Sequence, residues 1–112
     1  MDYDAYVKQN QVVVQFVKDV MPGTIDKYVG TLDYASARFN TILIKLSQDP
    51  LLADQHKKGV EECFNAIQGF YSYTTKYITS PYFIKPVYSL VLYIIGTTRI
   101  PKIKKLLQSL NN

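Results

Sequence analysis

The stretch at residues 25–46 constrains the fold of this chain more than any other part of the sequence. Its apolar side chains recur mostly every three or four positions, which is the period of one face of an α-helix, whereas a half-buried strand would alternate at every second position. The stripe consists of Ile25, Tyr28, Val29, Leu32, Ala35, Phe39, Ile42, Leu43 and Leu46. A long helix with a continuous apolar face needs other helices to cover that face, so the pattern predicts the central helix of an all-α fold.

The start of this central helix is marked by a turn and by two capping residues. Pro22 disfavours the helical conformation of the residue before it and Gly23 frees the turn, so the preceding helix ends there. Thr24 offers a hydroxyl that can cap the new helix. Asp26 would then lie in the first turn, where the helix dipole favours a carboxylate.

Three other stretches carry helical spacing. Residues 3–21 place valines and aromatic residues on one face and predict the first helix. Asp49 can cap a helix and Pro50 suits its first position, so we expect a short helical turn at residues 51–57. Residues 59–78 predict a further long helix. Its apolar stripe consists of Val60, Cys63, Phe64, Ile67, Phe70, Tyr71, Thr74 and Ile78.

Three prolines divide the last third of the chain, residues 80–112. We predict a connector at 82–85, since a proline at position 86 inside a helix would cost about 3 kcal/mol. A helix then spans 86–95 and ends at Gly96, and Pro101 opens a last helix. The apolar stripe of that last helix is Ile103, Leu106, Leu107 and Leu110.

The helix at residues 86–95 is apolar almost all round, which is typical of a helix buried on every side. We therefore expect it at the centre of the bundle, with the last helix as an amphipathic cover. Its apolar run of nine residues, 87–95, is shorter than the roughly twenty needed to cross a bilayer. Because cations and tyrosines flank the run, it would also suit a membrane surface or a groove of a partner protein.

The helical segments together predict the fold class. We expect an all-α protein, a compact bundle of four to five mainly antiparallel helices joined by short connections. The 112 residues form a single helical domain, 1–112, with 80–112 as its basic, apolar C-terminal segment. A content of 47% apolar and 20% charged residues is that of a globular protein.

The net charge of +4 is unevenly distributed along the chain. Residues 1–56 hold seven Asp against four Lys and one Arg, a balance of −2. Residues 57–112 hold seven Lys and one Arg against two Glu, a balance of +6, and no acidic residue follows Glu62. Such a split either cancels when the two halves pack together or leaves a basic face for an acidic partner.

Catalytic and ligand-binding motifs are missing from the sequence. His56 and Cys63 are seven positions apart, so a helix would hold them about 10 Å apart, beyond the reach of a nucleophile and its base. One histidine and one cysteine supply no paired spacing for a metal, and the five glycines are too scattered for a phosphate-binding loop. We therefore expect no enzymatic activity, no cofactor and no bound metal.

A single cysteine and an acidic N-terminus bear on the compartment. Cys63 cannot form a disulfide within the chain, which favours a reducing, intracellular environment. The first ten residues lack the basic and apolar regions of a signal peptide. We expect a protein that is soluble or peripherally associated with a membrane.

The C-terminal third gives the functional hypothesis, because its surplus of apolar and basic residues suits association. We expect a non-catalytic helical interaction or assembly module, either a homo-oligomer or a small subunit of a larger complex. The residues expected to bind the partner are Lys85, Tyr88, Tyr93, Arg99, Lys102, Lys104 and Lys105.

Two alternatives remain open for this segment. One is a peripheral protein that binds an anionic membrane surface through residues 86–110. The other, ranked third, is a nucleic-acid-binding accessory protein. Three lysines offer few phosphate contacts, and no recognition motif accompanies them.

Overall fold

Six α-helices make up most of residues 3–23 and 26–111, the part of the chain that the computed structural model describes. They are α1 (Tyr3–Val20), α2 (Lys27–Ser47), α3 (Pro50–Gln55), α4 (Lys57–Thr79), α5 (Lys85–Thr98) and α6 (Pro101–Asn111). A 3₁₀ turn, Met21–Gly23, leads out of α1. The predicted all-α helical bundle is therefore confirmed, and α3 is the short helical turn that was expected after Asp49.

The core of the bundle surrounds α2. The buried apolar residues of this helix are Tyr28, Val29, Leu32, Ala35, Phe39, Ile42, Leu43 and Leu46. They are the members of the predicted stripe, apart from Ile25, which lies outside the described residues. Helices α1, α4 and α6 pack against α2, with α1 making the most extensive contact. The prediction of a central helix over this stretch is confirmed.

Carboxylate caps begin two of the helices. Asp49 precedes α3, and its side chain accepts a hydrogen bond of 3.1 Å from the Leu52 amide, as the sequence predicted. Asp26 precedes α2 and accepts a 2.7 Å bond from the Tyr28 amide, so it is the N-cap. Its expected place in the first turn is therefore wrong, because the carboxylate reaches the second amide only from the capping position. The predicted cap Thr24 lies outside the described residues.

Helix α5 is longer than the sequence suggested. It runs through Thr98, so the prediction that Gly96 ends it is wrong. This glycine instead lies against α4, where a Cβ atom would come within 3.4 Å of Phe70 Cε2. Gly96 therefore lies at a contact between two helices, a position that the sequence does not distinguish from a helix stop.

The expected central position of α5 is also wrong. Only Leu92 and Ile95 of this helix are buried. One side of α5 packs along α4, and a smaller contact reaches α6. Because α6 packs mainly against α2, it closes the core elsewhere and leaves the other side of α5 uncovered by the described helices.

Candidate functional site

The uncovered side of α5, together with the turn before it, carries six of the twelve large apolar side chains that are exposed among the described residues. Its large side chains have exposed fractions from 50% to 89%. We call this surface the α5 apolar face; its members are Tyr82, Phe83, Val87, Leu90, Tyr93 and Ile94. This surface is the candidate functional site.

Helical geometry gathers the members of the α5 apolar face into a stripe. Val87, Leu90 and Ile94 are separated by three and four residues, so they follow one side of α5, and Phe83 comes four residues before Val87. Phe83 lies in the turn that leads into α5, which is held by hydrogen bonds of 3.0 and 3.3 Å from the Ile84 and Lys85 amides to the Pro81 carbonyl. Tyr93 adds a ring beside the stripe.

The size of the α5 apolar face sets it apart from ordinary surface hydrophobicity. An aromatic side chain has about 150–250 Å² to bury, so Tyr82, Phe83 and Tyr93 alone present on the order of 450 Å² to solvent, and the three half-exposed aliphatic side chains enlarge this area further. The largest apolar patch on a typical soluble monomer covers about 300–600 Å². Patches above that range usually mark a surface that another molecule covers.

The α5 part of this surface carries no charge of its own, although Lys27 of α2 shares a cleft with Tyr93 and Lys85 shares a hollow with Tyr82. Residues 86–98 contain no Asp, Glu, Lys, Arg or His. At the C-terminal end of α5, Thr97 donates its hydroxyl to the Tyr93 carbonyl at 2.8 Å, and Thr98 donates to that of Ile94 at 2.6 Å. Since these hydroxyls are paired within the helix, burying this end leaves no unpaired hydroxyl donor.

The opposite side of α5 is held by specific contacts to α2 and α4. The Tyr28 hydroxyl of α2 forms hydrogen bonds with the Ser89 hydroxyl and with its carbonyl. The Tyr88 ring lies 6.1 Å from that of Tyr73 in α4. Because these contacts fix the rotation of α5 about its axis, they also fix the direction in which the apolar face points.

Lys85, Tyr88 and Tyr93, three of the residues expected to bind a partner, lie in or beside α5. The Lys85 ammonium donates hydrogen bonds of 2.6 and 3.3 Å to the carbonyls of Tyr77 and Ile78, so it is engaged within the chain. Tyr88 is half-buried between α5 and α4. Tyr93 is exposed and belongs to the α5 apolar face.

Arg99, Lys102, Lys104 and Lys105, the other residues expected to bind a partner, lie in or just before α6. Arg99 and Lys102 line a hollow of about 200 Å³ with Glu62 on α4, and the Lys102 ammonium is 4.0 Å from that carboxylate. Within the described residues this is the one cation–carboxylate pair, and its half-exposed partners contribute little to stability. Lys104 and Lys105 are exposed on α6.

The structure therefore divides the predicted site residues among three locations: the α4–α5 junction, the α5 apolar face and the surface of α6. The residues predicted to bind a protein partner did not include five aliphatic and aromatic members of the apolar face, although the membrane alternative covered residues 86–110. They are Tyr82, Phe83, Val87, Leu90 and Ile94. The 4–3–4 spacing was a usable signal, but it was read as a buried face because α5 is apolar on both sides.

The ten tyrosines serve mainly in packing. Tyr28 is buried and seven others are half-buried, which leaves Tyr82 and Tyr93 exposed. The half-buried ones are Tyr3, Tyr6, Tyr34, Tyr71, Tyr73, Tyr77 and Tyr88. The two exposed rings both belong to the α5 apolar face.

Cys63, in α4, has no chemical role that its surroundings support. Its side chain is 1% exposed, and burial, with a smaller effect from the neighbouring Glu62 charge, raises the pKa of the thiol to about 11. Such a thiol stays protonated and unreactive near neutral pH. His56 lies between α3 and α4, outside the helix that carries Cys63.

No group of three or more His, Cys, Asp or Glu within residues 3–23 and 26–111 is arranged to hold a metal ion. None of the helices in those ranges combines the length and the apolar character needed to cross a membrane.

A cleft between α2 and α5 lies beside the apolar face. It encloses about 210 Å³ and is lined by residues that include Tyr28, Phe70 and Leu92. Pockets for small ligands usually enclose about 300–1,000 Å³, so this cleft is small for such a molecule. The extended face is better suited to a large partner.

Comparison with known protein families, curated proteins and solved structures gives no match to this chain. The function is therefore inferred from the geometry of the α5 apolar face.

Proposed function

We propose that this chain is a non-catalytic helical interaction module that associates with a protein partner through the α5 apolar face. The observation that carries the proposal is the exposure of Phe83, Val87, Leu90 and Ile94 along one side of a well-anchored helix. Leaving so much apolar surface in water is unfavourable by roughly 25 cal/mol per Å², which association recovers in part.

The composition of the face supports a protein partner. Protein interfaces have cores depleted of charge and enriched in aromatic residues, and this face combines three aromatic rings with three aliphatic side chains. Lys104 and Lys105 are exposed on the neighbouring α6. Cations outside an apolar centre act mainly on the rate and specificity of association with an acidic partner.

Affinity capture with matched variants tests the proposal. Tagged wild type, Leu90→Glu and Ile44→Glu would be used as baits in extracts of cells that express the chain. Leu90 and Ile44 are 61% and 60% exposed, so the same charge is introduced at equal exposure on α5 and α2. We expect a protein that wild type and Ile44→Glu retain and that Leu90→Glu loses.

A captured protein supports the proposal only if it binds again when both components are purified. The purified complex should then lose affinity with Leu90→Glu and keep it with Ile44→Glu. A role for the α5 apolar face would be contradicted if all three baits retained the same proteins, or if only Ile44→Glu lost the captured protein.

Peripheral membrane binding is a second candidate function, favoured by the two aromatic rings at the tip before α5. Tyr82 and Phe83 are 89% and 79% exposed in a tight turn. Aromatic rings of this kind partition into the membrane interface, and the cations of α6 would add attraction to anionic lipids.

Vesicle flotation separates this candidate from the first. Vesicles of phosphatidylcholine, with and without phosphatidylserine, would be incubated with wild type and with a Tyr82→Ser/Phe83→Ser variant. Membrane binding predicts flotation that depends on the two rings and weakens as salt screens the α6 cations. Absence of flotation at low salt would eliminate the membrane function.

A further inference from the structure

We propose that the partner of the α5 apolar face is a second copy of this chain, bound with the two α5 helices antiparallel. The inference rests on the proposed function and names its partner. It is carried by the spacing, the charge distribution and the area of the face.

The spacing of the face suits packing against another helix. Val87, Leu90 and Ile94 on α5 are three and four residues apart, which is the repeat of a seam between two helices, and Phe83 extends this spacing into the turn before α5. In an antiparallel pair centred on this stripe, Val87 faces Leu90 of the other copy, and Phe83 faces Ile94. Each side chain near one end of the face therefore packs against a side chain near the other end of the partner's face, so the face is complementary to itself.

The charge distribution permits this self-pairing. An isologous interface contains the same surface twice, so any charge on the face would be buried in both copies. Residues 86–98 carry no charge, the ammonium of Lys85 is bound to the end of α4, and that of Lys27, beside Tyr93, lies 5.1 Å from the Tyr28 ring.

The basic residues beyond α5 favour the antiparallel direction, in which Arg99 of one copy points toward the α4–α5 junction of the other, where the Lys85 ammonium is already paired with two backbone carbonyls. A helix of 14 residues is about 21 Å long. An antiparallel pair therefore holds the two copies of Arg99 farther apart than the Debye length of about 8–10 Å at physiological salt. A parallel pair would bring the two Arg99 side chains, and the lysines that follow them, to the same end.

The exposed area is sufficient for a specific dimer. A standard interface buries about 800 Å² on each partner, and the α5 apolar face presents an area of that order. One face therefore supplies the area that one side of such a dimer needs.

The oligomeric state of the purified chain tests the proposal. Light scattering after size exclusion, at loading concentrations up to about 100 µM, should give twice the chain mass of 12.9 kDa. Leu90→Glu should raise the dimer dissociation constant by at least about 100-fold, because it places an unpaired charge in the interface. Ile44→Glu should leave the dissociation constant within about threefold of wild type. Circular dichroism should show that both variants keep their helices.

Disulfide trapping tests the antiparallel register. Val87→Cys and Leu90→Cys would be made separately in a Cys63→Ala background. The antiparallel pair predicts that mixing the two variants gives cross-linked heterodimers faster than either variant cross-links alone, since these positions face each other. In a parallel pair each variant would cross-link with itself faster than with the other variant, and this result would overturn the proposed register.

Three outcomes would overturn the second copy as the partner. They are a monomer at every concentration, a dimer that Leu90→Glu leaves intact, and a monomer that floats with vesicles through Tyr82 and Phe83. A monomer that binds a different purified protein through Leu90 would overturn this inference and leave the proposed function standing.

Discussion

The ammonium group of Lys85 donates a hydrogen bond of 2.6 Å to the backbone carbonyl of Tyr77. That carbonyl belongs to the last turn of α4, where the helix has no further amides to pair with it. The negative end of the α4 dipole lies there too, so the first residue of α5 stabilises the end of the preceding helix. A cation expected to bind a partner thus holds the junction that orients the α5 apolar face.

Replacing Lys85 should therefore affect stability. We expect Lys85→Met to lower the free energy of unfolding by about 1–2 kcal/mol, since a charge-assisted hydrogen bond and a dipole interaction are lost. Lys104→Met, on the exposed surface of α6, should change it by less than about 0.5 kcal/mol. Urea denaturation measures both, and equal losses would contradict the role of the Lys85 contact.

Larger side chains at Gly69 of α4 and at Gly96 of α5 should change the stability of the fold in opposite directions. Nothing lies within 4 Å of a Cβ added at Gly69, so Gly69→Ala should stabilise the fold by about 0.5–1 kcal/mol through helix propensity. A Cβ at Gly96 already reaches 3.4 Å from Phe70, so the bulkier Gly96→Val should cost about 1–3 kcal/mol. Thermal unfolding compares the two, and a stabilised Gly96→Val would show that α5 does not need this close approach.

The buried amide of Asn10 should contribute to the pairing of α1 with α2. Its nitrogen donates to the Ser36 carbonyl at 3.0 Å and to Asn40 Oδ1 at 2.6 Å. We expect Asn10→Ala to cost about 1–3 kcal/mol because these acceptors lose a donor in the interior. The exposed Gln15, which bonds only to Asp19 on the same helix, provides the matched control as Gln15→Ala. Similar denaturation midpoints for the two variants would contradict the prediction.

The buried thiol of Cys63 should make stability depend on alkaline pH. Burial raises its pKa from 9.0 to about 11 in the folded chain, so the unfolded thiol ionises first as the pH rises. The stabilisation is complete below pH 9 and is lost progressively as the pH approaches 11. Urea denaturation of wild type and Cys63→Ala across this range should give a steeper decline for wild type. Parallel curves would contradict the effect, as would rapid alkylation of the folded thiol at pH 8.

Local signals in the sequence were enough to predict several elements. The stripe from Tyr28 to Leu46 fixes α2 as a helix with one buried face, because its period reflects local backbone geometry. The pair Asp49 and Pro50 likewise predicts the start of α3, since capping involves only neighbouring residues. Features of this kind depend on contacts within a few positions of the chain.

Features that depend on distant neighbours were predicted less well. Gly96 fits both a helix stop and a close helix contact, and only the position of Phe70 decides between them. The same holds for Lys85, whose place at the end of α4 depends on the turn between the helices. In each case the residue type permits two roles and the tertiary contact selects one.

The sequence by itself determined that this protein is an all-α bundle organised around α2, and that α5 is apolar on nearly every side. Only the tertiary structure decided which side of α5 is buried. Burial depends on how many other helices reach a surface, and that number is set by the packing of α4 and α6 rather than by the residues of α5. The exposed side, from Phe83 to Ile94, is the surface on which both proposals rest.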